Sequence, residues 1–163
     1  MKYSFIILTL MFSLNIIYAQ ESQQIQVIDH TVNELARNLD NLTKIEAFKN
    51  DTLGFSYIYS NEEELKAIIL QYNDLTTDTR KDVSWYFSND GLIYSEQKWT
   101  NIYTSEILDH QKFYANQMKL VAWNKDGELK NKHSVEFQEM EIGLMKYAQD
   151  RVKSFNQKQS TSP

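Results

Sequence analysis

Apolar residues recur at spacings of three and four through the segment 22–42. Ile25, Ile28, Val32, Leu35, Leu39 and Leu42 make one stripe, with Gln, Asp, Asn, Glu and Arg between them. That period predicts a helix with a single narrow buried face. Ser22 is placed to cap its start and Asp40-Asn41 to end it. The period then changes to two. Phe55, Tyr57 and Tyr59 alternate with Ser56, Ile58 and Ser60, which predicts a strand. The β-branched run Leu65–Tyr72 predicts a second strand beside it.

The clearest local signal is a hairpin. Val83-Ser84-Trp85-Tyr86-Phe87-Ser88 leads into Asn89-Asp90-Gly91 and returns as Leu92-Ile93-Tyr94-Ser95, and Gly91 supplies the positive φ that a short loop demands. Lys112-Phe113-Tyr114-Ala115 turns near Asn116-Gln117 into Leu120-Val121-Ala122-Trp123, and Asn124-Lys125-Asp126-Gly127 closes it. The two hairpins share two aromatics, a small residue, Asn, a turn and an apolar pair. Asn73–Asp82 and 100–109 read as polar connections. A last helix is predicted over 134–155, with Phe137, Met140, Leu144, Ala148, Val152 and Phe155 on its apolar face and Met145 beside it. Ser134 caps it, Glu136 suits its dipole, and Gly143 weakens it.

The expected fold class is α+β: an antiparallel β-meander of five to seven strands packed against an N-terminal and a C-terminal helix. Two helices on one face would leave the other face of the sheet exposed. Residues 20–156 form a single domain in this reading, and 157–163 a disordered polar tail.

The first nineteen residues change the picture. Met1-Lys2-Tyr3-Ser4 carries one positive charge, Phe5–Leu14 is apolar, and Ala19 follows at signal-peptidase distance. This is the order of a secretory signal peptide. Asn15 interrupts the apolar run short of the roughly 20 residues that a membrane span requires. Cleavage after Ala19 places the remainder in the periplasm or outside the cell, with no membrane span. The whole chain has a net charge of −5 and no cysteine. The acidic balance, without a basic cluster, excludes nucleic acid as an expected partner. With no disulfide available, burial alone must hold the fold. Three Trp, ten Tyr and eight Phe supply large apolar areas for it.

The leading helix, Phe55-Ser56-Tyr57-Ile58-Tyr59, Leu65-Lys66-Ala67-Ile68, Trp85–Tyr94, Lys112-Phe113-Tyr114, Lys119–Trp123 and Asn124-Lys125-Asp126-Gly127 come in a telling order. With the last helix, they resemble a family of small secreted or lipoprotein-like proteins of Bacteroidota. The resemblance covers most of the chain beyond residue 19 and implies a Gram-negative cell envelope. It lends no functional residue, because the family has no assigned active site. Asn116-Gln117-Met118 departs from the family's pattern, which shows Gly in the second turn.

Candidate chemistry is sparse. There is no nucleophile elbow, phosphate-binding Gly loop or HExxH spacing, so no catalytic residue, metal site or cofactor is expected. His133 and Glu136 provide too few ligands for zinc, and Asp109-His110 lacks a nucleophile. The aromatics are more informative. Alternation sends Trp85 and Phe87 to one face and Tyr86 to the other. An uncovered face carrying Tyr86, Tyr94, Tyr114 and Trp123 would dock an envelope protein or a glycan. Two alternatives remain open. One is a carrier with an apolar pocket lined by Ile68, Leu70, Leu92 and Leu144. The other is a small hydrolase using Glu136, His133 or Asp109. The oligomeric state leaves no mark on the sequence.

Overall fold

The structure, a computed structural model, describes residues 21–50, 53–61 and 64–160. The expected leader (1–19) and the last three residues lie outside this range. Helix α1 covers 21–37 and passes through a 3-10 turn, Leu39–Asn41. Eight strands follow: β1 Thr43–Asn50, β2 Gly54–Asn61, β3 Glu64–Asp74, β4 Thr79–Ser88, β5 Gly91–Asn101, β6 Ile107–Asn116, β7 Lys119–Lys125 and β8 Glu128–Leu129. Helix α2, Val135–Ser160, ends the described chain. The strands form one antiparallel sheet in sequence order, so the fold is an α+β meander.

The strand count exceeds the expected five to seven. β1 has no apolar alternation, because all eight of its residues are exposed, and β8 is two residues long. The supposed polar connections are mostly strand as well. β3 runs to Asp74 and β4 begins at Thr79, while β5 reaches Asn101 and β6 begins at Ile107. Backbone pairing does not require apolar side chains, so polar strand ends are silent in a hydrophobicity pattern. At the helices, α2 continues past Phe155 through part of the expected tail. Ser22 is already helical and so does not cap α1. Ser134 does cap α2: its Oγ accepts the Phe137 N–H at 3.2 Å.

Register explains the core. Ile45, Ile58, Ile68, Trp85, Ser95, Phe113 and Trp123 stand opposite one another in an unbroken row from β1 to β7. A second row contains Lys44, Tyr59, Ala67, Tyr86, Tyr94, Tyr114 and Ala122. Because successive side chains point to opposite faces, each row meets a different helix. Phe137, Leu144, Met145, Ala148 and Phe155 of α2 pack with the first row and with Phe87 and Leu92. Ile28 and Val32 of α1 pack with the second. The helices therefore lie on opposite faces of the sheet, rather than sharing one. Phe87 and Phe113 are each 1% exposed, and burial of a side chain of that size stabilises by about 1.5–3 kcal/mol.

Candidate functional site

The four aromatics expected to form an exposed platform are all buried. Tyr86, Tyr94 and Tyr114 retain 8%, 4% and 7% exposure beneath α1, and Trp123 retains 1% on the other face. The reason is the placement of α1, whose apolar stripe covers the face that was expected to be open. The three tyrosines do come together as a ladder. Tyr86 and Tyr94 have ring centroids 6.2 Å apart, and Tyr94 and Tyr114 meet edge-on at 5.3 Å. The Tyr94 hydroxyl donates to Glu96 Oε2 at 3.1 Å. Burial and the nearby Glu96 carboxylate raise the pKa of Tyr86 and of Tyr94. Burial, with Asp29 of α1 next, pushes Tyr114 up to about 12. Trp123 stands apart: it stacks on Phe113 at 5.8 Å and its Nε1–H donates to Gln111 Oε1 at 3.1 Å.

The groups weighed for hydrolysis do not form a cleft. Asp109 and His110 are strand neighbours and point to opposite faces. His110 Nε2 lies 2.6 Å from Glu96 Oε1, whereas Asp109 accepts from Gln111 at 2.6 Å and pairs with Lys125 at 3.8 Å. His133 is exposed and donates its backbone N–H to Asn131. Among the described residues, no group of three or more His, Cys, Asp or Glu is arranged to hold a metal ion. Of the four residues of the carrier reading, Leu92 lies in a cleft at the hairpin tips, whereas Ile68, Leu70 and Leu144 line two adjoining clefts beside α2, with Leu70 in the walls of both.

An aromatic cleft does exist, on the α2 face. Helix α2 packs over the first row where Ile68, Trp85, Phe113 and Trp123 are buried, and the cleft lies on the same face, further along β3, β4 and β5. Here Tyr72, Lys81 and Trp99 stand in register on β3, β4 and β5. The Lys81 ammonium lies 5.5 Å from the Tyr72 ring and 5.2 Å from the Trp99 ring, a cation held between two π faces. It pairs with Asp74 at 3.2 Å. Hydrogen bonds from Thr76 and then from Lys81 hold the Asp74 carboxyl well below the usual carboxylate range. The same pairing raises the pKa of Lys81. The cleft has a volume of about 610 Å³, and Trp85, Tyr147, Gln97, Glu136 and Glu139 complete its walls, within the range of small-molecule sites.

A second cleft of about 530 Å³ adjoins it across Tyr147, lined by Ile45, Ile58, Ile68, Trp85, Arg151 and Phe155 among others. The Tyr147 and Trp85 ring centroids are 5.2 Å apart, and the Arg151 guanidinium carbon lies 4.6 Å from the Tyr147 ring centroid. Trp85 is 7% exposed, and its indole N–H has no acceptor among the described residues. A buried donor without a partner costs free energy. Two further clefts of similar volume lie at the hairpin-tip end, and neither has an aromatic residue in its wall.

The sequence reading missed Tyr72, Lys81 and Trp99 as site residues, because Lys81 fell in a supposed connection, Tyr72 was the last residue of its predicted strand, and Trp99 lay beyond the predicted hairpin strand that ended at Ser95. The signal was present: extending the alternation from Trp85 through Val83 reaches Lys81, and from Ser95 through Gln97 reaches Trp99. Among the described residues, no helix is long and apolar enough to cross a membrane. No family model matches the chain, and neither a curated protein nor a solved structure matches it.

Proposed function

We propose that this chain is an exported, non-catalytic binding protein of the bacterial cell envelope that recognises a glycan through an aromatic face of its sheet. That face is the cleft beside α2, not the buried tyrosine ladder. One observation carries the reading: Tyr72, Trp99 and Tyr147 are half-buried rings that wall a single open cleft with Trp85. Sugars with equatorial substituents present flat C–H faces, which pack on aromatic rings. Their hydroxyls need both donors and acceptors, which Lys81, Gln97, Glu136 and Glu139 supply at the rim. The Met1–Ala19 leader and the family resemblance support the envelope location.

The test is titration of the purified chain with soluble glycans, followed by tryptophan fluorescence. Binding is expected, and Trp99→Ala should weaken it at least tenfold, as loss of a central aromatic contact does, with an unchanged unfolding midpoint. Absence of a response to every glycan, or an undiminished response in Trp99→Ala, refutes the assignment. N-terminal sequencing of protein recovered from cells should begin at Gln20, and a cytosolic product beginning at Met1 refutes export.

A further inference from the structure

We infer that the two clefts beside α2 are halves of one site for a linear glycan several sugars long, with Trp85 as a hydrogen-bond donor to the chain where it passes Tyr147. The inference rests on the glycan reading above and extends it to ligand length and to the contact at the midpoint.

The geometry of the helix makes the trough continuous. Residues Glu136, Met140, Gly143, Tyr147, Arg151 and Ser154 of α2 face the clefts. Their spacing of three and four residues places them on one flank of the helix. The flank from Glu136 to Ser154 is about 27 Å long, at about 1.5 Å rise per residue, too long for a single sugar. Leu70, Trp85 and Tyr147 belong to the walls of both clefts, so the two clefts meet at these residues, with Tyr147 the one contributed by the helix.

The chemistry at that junction points to a ligand. Trp85 presents a buried N–H with no acceptor, covered by a ring on the helix. Rotation of Tyr147 about its side-chain bonds would expose the donor to a sugar oxygen and join the two halves. The lining also separates a glycan from an acyl chain. Charged and amide groups recur along the trough, with Lys81 and Gln97 in one half and Glu46 and Arg151 in the other. An acyl chain would strip water from those groups and offer no hydrogen bond in return, at a cost, whereas a hydroxyl-rich polymer replaces the lost water contacts.

The three indole N–H groups of the chain, assigned by single Trp→Phe variants, give the readout in a nitrogen–proton correlation spectrum. A β-1,4-linked N-acetylglucosamine hexamer should move both the Trp99 and the Trp85 signals, and the dimer only that of Trp99. Affinity should rise at least tenfold from dimer to hexamer. If the hexamer moves Trp99 alone and binds no tighter than the dimer, the extended site is wrong while the glycan reading survives. If neither sugar, nor cellohexaose or a mixed panel of bacterial polysaccharide fragments, moves any indole signal, both readings fall. If laurate shifts Trp85 and no glycan does, the trough holds an acyl chain and both are likewise overturned.

Discussion

The Met118 thioether occupies the space that a β-carbon on Gly91 would need. The turn of the β6–β7 hairpin is thus seated against that of the β4–β5 hairpin. Gly91 has φ +109°, a conformation that side-chain-bearing residues rarely adopt. Gly91→Ala should therefore lower stability by about 1 kcal/mol or more, chiefly through backbone strain, with displacement of the flexible Met118 side chain a smaller part. Denaturant unfolding measures it, and an unchanged midpoint would contradict both the strain and the contact.

The facing turn shows how the missing glycine is accommodated. Gln117 and Met118 have φ of 49° and 61°, both positive as a type I′ turn requires. The turn type follows from the antiparallel pairing around it, although neither residue favours it. Gln117→Asn, which tolerates this region better, should stabilise by a few tenths of a kcal/mol up to about 1 kcal/mol.

The tyrosine ladder makes stability sensitive to alkali. Tyr86, Tyr94 and Tyr114 have folded pKa values above the ordinary value near 10. Their contribution is complete below about pH 10 and is lost as pH rises through the folded values, which for Tyr114 is about 12. Each tyrosine ionised only in the unfolded chain tilts stability by about 1.4 kcal/mol per pH unit. Melting curves from pH 9.5 to 11.5 should fall less steeply for Tyr94→Phe than for the unaltered chain. Equal slopes would show that the ladder is open to water.

Gly143 gains a purpose from its position. A β-carbon there meets nothing within 4 Å, and the residue lines the cleft. Gly143→Ala should stabilise α2 by about 1 kcal/mol. Gly143→Leu should keep the fold and weaken glycan binding at least tenfold by filling the trough. Calorimetry of both variants separates the two effects, and full binding by Gly143→Leu would remove the cleft from consideration.

Particular residues show what the sequence could disclose. Asn89-Asp90-Gly91 announced its hairpin, because few residue types suit such a loop. The apolar periods of α1 and α2 announced the helices, because a buried stripe is a local property. The choice of face for α1 was not local. Tyr86 and Trp85 are both aromatic neighbours, so either side of the sheet offered a plausible seat. β1 escaped notice for a different reason. Its Lys44, Glu46 and Lys49 occupy an exposed sheet edge, where charge discourages further pairing, and no buried alternation remains to read. The site was hidden by the same effect, since Lys81 and Trp99 sit on polar strand ends.

The paired rows have a consequence for how this chain tolerates change. Trp85 and Tyr86 are adjacent, yet they answer to different helices on opposite sides of the molecule. Deleting one residue from the middle of β4 would turn every later side chain of that strand over, offering indole to α1 and phenol to α2. Two cores would be spoiled by one lost codon. Length variation should therefore be confined to the connections, such as 75–78 and 102–106, where an extra residue disturbs neither side.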